Sequence, residues 1–388
     1  MTFLDHVQTQ LEDLRAAGLL RTPWTVTKVD GARIEVDGRP LVNFASNDYL
    51  GLARNPALSG AAARAAREFG WGAGSARLLS GTTAWHAELE RAVADFRGTE
   101  DAVVFPTGYM GNLGMLVALA DRHDLVLYDR LVHGSLIDGI RLSHARTVPL
   151  AHRDVAVARE ILKEKPGDGL RFLVTDSVFS MDGDLAPLRE LADLANETGA
   201  TLLVDDAHGV GVLGGAGRGA LEFLGVGREV AVSSGTLSKA VGGLGGFVSG
   251  PKPVCDLIRS KARTFLFATA APPAVCAAAV EGIRLVREGT PLRERLHALV
   301  RRFKLGLEGL GVPTEPTPVP IVPIPIGETA KALQVAASLL QKGFYAPAIR
   351  PPTVPDGTAR LRISMTALHT EDDVDGLLVA LREVSSRI

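Results

Sequence analysis

Six apolar runs of strand length between residues 102 and 232 constrain this chain more than any other feature. They are Ala102-Val103-Val104-Phe105, Leu125-Val126-Leu127-Tyr128, Thr147-Val148-Pro149-Leu150, Phe172-Leu173-Val174-Thr175, Thr201-Leu202-Leu203-Val204 and Val230-Ala231-Val232. Helical patterns such as 154–165 and 188–198 lie between them. A strand this apolar has no side for water, so both faces need cover. Alternation with helices predicts an α/β arrangement, a mostly parallel sheet with helices on either side. Most of the runs end in polar or glycine-containing sequence, where sheets of this kind place their ligands.

The flanks have another character. Residues 4–20 read as an amphipathic helix, followed by a hairpin of 25–29 and 33–36 turned at Asp30-Gly31. A helix-rich stretch, 274–309, leads to strands at 319–326, 343–349 and 360–364 that alternate with helices at 329–342 and 370–386. That pattern predicts a second, smaller α+β unit. The alternating prolines of 313–325 predict an extended connector or an edge strand. At 388 residues the chain has room for two or three domains. The expected division is an N-terminal helix and hairpin segment (1–45), a large sheet domain (46–282) and a small C-terminal domain (283–388).

Composition removes several classes of function. Lys+Arg 42 against Asp+Glu 44 leaves a net charge of −2 and no basic stripe, so non-specific nucleic-acid binding lacks its electrostatic footprint. Two cysteines, Cys255 and Cys276, make neither a disulfide framework nor a four-thiolate metal site, and no metal is expected. The uncharged stretch 103–120 carries Pro106, Asn112 and three glycines, and 265–280 carries Pro272-Pro273. Neither supplies the ~20 continuous apolar residues of a membrane span. The first residues read as a helix rather than a signal peptide. A soluble cytoplasmic protein is the expectation.

Chemistry is concentrated after the strands. Val204-Asp205-Asp206-Ala207-His208-Gly209 is followed some thirty residues later by Gly235-Thr236-Leu237-Ser238-Lys239. A carboxylate closing a buried strand has lost water and needs a positive partner. Lys239 sits among glycines and small residues, where a close-packed amine loses its proton more easily, as an imine-forming nucleophile requires. Pyridoxal phosphate needs this pairing, a lysine at its aldehyde and a carboxylate at its ring nitrogen. A helix-capping Asp and a solvated surface Lys are the bland alternative.

Further along the same logic, Phe105-Pro106-Thr107-Gly108-Tyr109-Met110-Gly111-Asn112 leaves a strand and opens a helix, expected at 113–120, whose free N–H groups suit a phosphate. His133 and Ser180 also follow strands. Four strand ends thus carry polar groups in the same relative place. Gly209-Val210-Gly211-Val212-Leu213-Gly214 matches G-x-G-x-x-G literally, which keeps open a nicotinamide-dependent oxidoreductase. Its glycines do not follow the strand directly, since Asp205–His208 intervene, and the nearest acidic candidates, Glu222 and Glu229, fit poorly the spacing of about twenty residues that a dinucleotide site requires.

With these motifs in view, the chain resembles the α-oxoamine synthases, pyridoxal-phosphate enzymes of fold type I. The resemblance runs nearly end to end through Ser46-Asn47-Asp48-Tyr49-Leu50-Gly51-Leu52, Gly72-Ala73-Gly74-Ser75-Ala76-Arg77, Asp205-Asp206-Ala207-His208-Gly209 and Thr236-Leu237-Ser238-Lys239. It implies roles by position. Lys239 would carry the cofactor's aldehyde, Asp205 would pair with the ring nitrogen, His208 would bond the phenolic oxygen, and His133 would stack on the ring. Ser180 and Thr236 would join these contacts, with Gly108 and Tyr109 bordering the phosphate. Thr269 would reach the phosphate of a neighbouring subunit, implying a homodimer with shared sites. Arg362 would bind an amino-acid carboxylate, with Arg21, Asn47 and Thr353 as further substrate contacts.

Ala348-Ile349-Arg350-Pro351-Pro352-Thr353-Val354-Pro355-Asp356-Gly357-Thr358-Ala359-Arg360-Leu361-Arg362 resembles the family branch that joins L-alanine to a pimeloyl thioester, with loss of carbon dioxide, on the way to biotin. Glycine-using relatives that take acetyl-CoA or succinyl-CoA are the nearest alternative.

Overall fold

The computed structural model describes residues 1–163, 169–227 and 229–384. Its backbone separates into two compact units. One holds Met1–Ser46, Met181–Gly183 and the chain from Leu296 onward, and the other holds Asn47–Ser180 and Asp184–Arg295. The N-terminal hairpin falls with the C-terminal residues because Arg39–Asn43 pairs in parallel with the short strand Phe344–Tyr345.

The larger unit is built on a seven-stranded sheet. From one edge to the other its strands are Asp101–Phe105, Gly246–Gly250, Val232–Thr236, Thr201–Asp205, Arg171–Asp176, Leu125–Asp129 and Arg146–Leu150. The last five run parallel, while Gly246–Gly250 is antiparallel to both neighbours. The mostly parallel sheet read from the apolar runs is therefore present.

Three details differ from expectation. The strand expected at 230–232 begins at Val232 and continues through Ser233, Ser234 and Gly235 to Thr236, all buried. Small residues hid it, and they are required, since a Cβ on Gly235 would strike the Phe247 ring. Gly246–Gly250 escaped notice for the same reason. Arg146–Leu150 is an edge strand with Leu150 alone buried, a position that tolerates Pro149 and its missing N–H.

Helices cover this sheet. Gly108–Leu119 starts five residues before the expected 113, because the Thr107 hydroxyl accepts the Met110 N–H at 3.2 Å and caps it. Pro56–Phe69 packs on Pro273–Glu288 through Ala61, Ala65 and Ala277, with Trp85 against them. The helix expected over 154–165 is seen as Val155–Lys163, and residues 164 and 165 lie outside the described residues.

In the smaller unit, helix Phe3–Ala16 ends before the expected residue 20 and buries none of its side chains. Val26–Asp30, Arg33–Val36 and Arg39–Asn43 form an antiparallel meander whose third strand, broken up by Pro40, was not anticipated. Ile321–Gly327, Ala359–Ser364 and Ala348–Ile349 make an antiparallel sheet, backed by helix Thr329–Gln341. Pro323 and Pro325 occupy the edge strand, as their spacing predicts. The last helix is described over Glu371–Val384, and residues 385 and 386 lie outside the described residues. Among the described residues no helix is long and apolar enough to cross a membrane.

Candidate active site

Parallel strands that stop together leave their last side chains around one crevice. Here they surround a cavity of about 230 Å³ lined by Gly108, Tyr109, Asn112, His133, Asp176, Asp205, His208, Thr236, Ser238 and Lys239, among others. Seven of the sequence-derived candidates therefore meet in one place, all within the larger unit.

Asp205 closes its strand almost without exposure. Its Oδ1 accepts the Ala207 N–H at 2.9 Å, and its Oδ2 accepts the Asn112 amide at 2.6 Å. Beside it in register stands Asp176, the last residue of the next strand, which accepts the His133 N–H at 3.2 Å. Burial, followed by the neighbouring Asp205 charge, pushes the Asp176 carboxyl well above its ordinary range. Of this adjacent pair, Asp176 is the carboxyl whose surroundings favour a proton.

Lys239 lines the same cavity. Its Nζ is 2.9 Å from His208 Nε2, and His208 Nδ1 is 2.7 Å from the hydroxyl of the fully buried Tyr49. That hydroxyl also reaches Asn47 Oδ1 at 3.1 Å. An amine, an imidazole and a phenol thus form one hydrogen-bonded row. His208 is held from behind as well, because the adjacent Asp206 is locked by Arg97 at 2.8 Å, Ser177 at 2.7 Å and the Ala220 N–H at 3.1 Å.

His133 begins helix Gly134–Ser143, and its Nδ1 lies 2.7 Å from Ser135 Oγ. Burial lowers its affinity for a proton, Asp205 opposes that, and Lys239 adds to it. The Tyr109 ring meets His133 edge-on at 6.2 Å, and its hydroxyl bonds Asp138.

At the other end of the cavity the first N–H groups of helix Gly108–Leu119 have no acceptor within the helix. Thr236 Oγ1 sits beside them, 2.7 Å from Ser238 Oγ. The backbones touch here, and a Cβ on Gly246 would fall onto Gly108 and Thr107. Helix-start N–H groups are the kind of donor that suits a phosphate dianion, and the Thr236 hydroxyl beside them donates to the Gly245 carbonyl at 3.0 Å.

The remaining candidates lie elsewhere. Ser180 is half-buried two residues beyond Val178, which lines the cavity. Thr269 is exposed and pairs by an isolated bridge with Ala76. In the smaller unit Arg21 donates to Thr353 Oγ1 at 3.3 Å, while buried Arg362 donates to Ser364 Oγ at 2.8 Å. The glycines of the G-x-G-x-x-G match do packing work. A Cβ on Gly209, Gly211 or Gly214 would meet Asp206, Ala240 or Glu222, and none of the three lines the cavity.

Sequence reading gave no individual role to Asp176, Asn112, Ser135, Ser238 or Tyr49, although Asn112, Ser238 and Tyr49 lie within its motifs. Asp176 was open to the rule that found Asp205, since both end apolar strands. Asn112 stands one helical turn after Gly108.

Residues 39–381 match the family model described as aminotransferase class I and II. The chain belongs to that family. Among its relatives, the 8-amino-7-oxononanoate synthase of Alkalilimnicola ehrlichii is 51% identical over 95% of this chain and 95% of its own length. That of Methylococcus capsulatus is 48% identical over 96% of both chains. A serine palmitoyltransferase from S. paucimobilis, solved with a PLP–myriocin adduct, superposes with a TM-score of 0.94 at 32% identity, covering 100% of this chain and 99% of its own. A structure of 8-amino-7-oxononanoate synthase from Francisella tularensis superposes at 0.78 with 26% identity, over 89% of this chain and 98% of its own.

The fold is therefore the fold type I arrangement expected. The chain is a pyridoxal-phosphate-dependent enzyme, and the cavity fits that cofactor. An amine, a carboxyl group, an imidazole and a helix start with nearby hydroxyls stand around one space, a donor set that suits the polar features of the pyridine aldehyde phosphate.

Proposed function

We propose that the chain catalyses the 8-amino-7-oxononanoate synthase reaction. L-alanine and a pimeloyl thioester, carried by coenzyme A or a carrier protein, give 8-amino-7-oxononanoate, carbon dioxide and free thiol, a step toward biotin. The observation that carries this reading is the meeting of Lys239, Asp205, His208 and His133 around one cavity, in a chain similar over nearly its whole length to enzymes bearing that name.

Pyridoxal phosphate, when bound, supplies an electron-poor ring that absorbs negative charge developing at the amino acid's α-carbon. The chain's own residues do the rest. Lys239 Nζ takes the α-proton and returns one. Asp205 holds a proton at the ring nitrogen, His208 bonds the phenolic oxygen, and His133 covers the ring face. Gly108, Tyr109, Thr236 and Ser238 bind the phosphate, with Ser180 as a further contact. Arg362 pairs with the alanine carboxylate, and Arg21, Asn47 and Thr353 complete the substrate contacts. Two copies pair so that Thr269 of each serves the phosphate site of the other, in the cytoplasm. Residues 46–282 act as the cofactor-binding domain and 283–388 as the small domain.

The test is thiol release by purified enzyme, with alanine or glycine offered against pimeloyl and acetyl thioesters. Alanine with the pimeloyl thioester should give the highest kcat/KM and a product with the mass of 8-amino-7-oxononanoate. A higher kcat/KM for glycine with acetyl-CoA would overturn the substrate assignment.

A further inference from the structure

One buried amide joins two of the groups around the cavity. Asn112, 3% exposed, accepts the Ser234 hydroxyl at Oδ1, 2.5 Å away. Its Nδ2 donates to Asp205 Oδ2 at 2.6 Å and to Ser135 Oγ at 2.8 Å. An ionised carboxylate only accepts, so Asp205 fixes which end of the amide faces it, and both Nδ2 hydrogens are used. Ser135 Oγ receives one of them. Its own proton is then available to His133 Nδ1, 2.7 Å away. The Ser135 backbone N–H is aimed at the same nitrogen, at 3.3 Å. Two donors converging on Nδ1 leave no place for a proton there, and a neutral imidazole then carries it on Nε2.

We propose that Asn112 is a positioning residue that sets the tautomer of His133. Through Ser135 it holds the ring in the Nε2–H form, while the same amide anchors the carboxylate of Asp205. The Nε2 edge is thereby kept as a hydrogen-bond donor. Its value to turnover rests on the reaction proposed above, whereas the tautomer itself does not.

Long-range ¹H–¹⁵N NMR of holoenzyme labelled at histidine nitrogen reads this directly, with the His133 signals assigned by their loss in His133→Asn. The wild type should show unprotonated Nδ1 and protonated Nε2, favoured by about tenfold or more, the factor one ordinary hydrogen bond supplies. Ser135→Ala should cut that preference about tenfold. Asn112→Asp should weaken it, because the Ser135 hydroxyl would then be drawn to donate to the new carboxyl group and would leave Nδ1 with the Ser135 backbone N–H alone. A protonated Nδ1 in the wild type overturns the proposal without any variant. A His133 spectrum unchanged in Ser135→Ala removes the relay even if Asn112→Asp does not fold. Should the tautomer be as expected while alanine releases no thiol, the reaction fails and the positioning role stands.

Discussion

His152 offers the sharpest stability test, because it stands between two carboxylates. Its Nδ1 is 2.9 Å from Asp129 Oδ2 and its Nε2 is 2.8 Å from Asp184 Oδ2. Carboxylates only accept, so both ring nitrogens must donate and the ring is an imidazolium. Burial works against the charge, yet the hydrogen bonds and charges of Asp129 and Asp184 outweigh it and lift His152 to about 9. The same Asp184 accepts the Phe179 N–H through its carbonyl at 3.0 Å, and Val178 pairs with Leu185. His152 thus ties the loop carrying Val178 and Ser180 to the end of strand Leu125–Asp129. The step from an ordinary 6.5 to about 9, at about 1.36 kcal/mol per pH unit, corresponds to about 3 kcal/mol.

The sign follows from linkage. The folded value lies above the unfolded one, so this contribution is complete below pH 6.5 and fades as pH rises through about 9. His152→Gln keeps the size and one hydrogen bond but not the charge. It should therefore lower the free energy of urea unfolding by about 2–3 kcal/mol at pH 6 and by less than about 1 kcal/mol at pH 10. Far-UV circular dichroism and cofactor absorbance would follow the transition. An equal loss at both pH values would refute the imidazolium clamp.

Other perturbations separate chemistry from scaffold. Lys239→Ala should abolish turnover and the visible imine band while leaving the circular dichroism spectrum unchanged, and turnover retained by this variant would sink the proposed base. Asp205→Ala should keep some cofactor yet lose proton abstraction from alanine, measured by solvent deuterium exchange at the α-carbon. Arg97→Ala strands the fully buried Asp206 and should cost about 3–5 kcal/mol in urea unfolding at pH 7.5. Burial already raises the Asp206 carboxyl, so that cost should shrink at pH 5 as the group takes up a proton. Arg362→Ala should raise the alanine KM by the equivalent of about 2–4 kcal/mol and leave the cofactor band in place.

Much of the sheet was legible because fully buried parallel strands must be apolar throughout, and four of the six runs became buried strands of the sheet. Val232–Thr236 and Gly246–Gly250 were obscured by the opposite requirement. Where backbone approaches backbone or an aromatic ring, as at Gly235 and Gly246, the sequence uses glycine and serine, and the apolar signature disappears. The site divides along a similar line. Groups at a strand end or just past one, such as Asp205 and, three residues after Thr236, Lys239, announce themselves by that position. Groups that act through a neighbour do not. Asn112 looks like any helix residue until Asp205, distant in sequence, is found 2.6 Å from its amide. Hydrogen-bond partners across such separations leave no periodic trace.

The candidate groups divide along the chain. Every cavity residue lies within Asn47–Ser180 or Asp184–Arg295, while Arg21, Thr353 and Arg362 belong to the other unit. A serine palmitoyltransferase superposes at 0.94 with 32% identity. Superposition of backbones weighs the scaffold and is insensitive to which side chain meets an acyl chain or an amino acid. Exchanging residues 348–357 for their serine palmitoyltransferase counterparts should therefore shift the preferred amino acid while the cofactor spectrum stays fixed. A changed spectrum with unchanged preference would place substrate choice in the cavity wall instead.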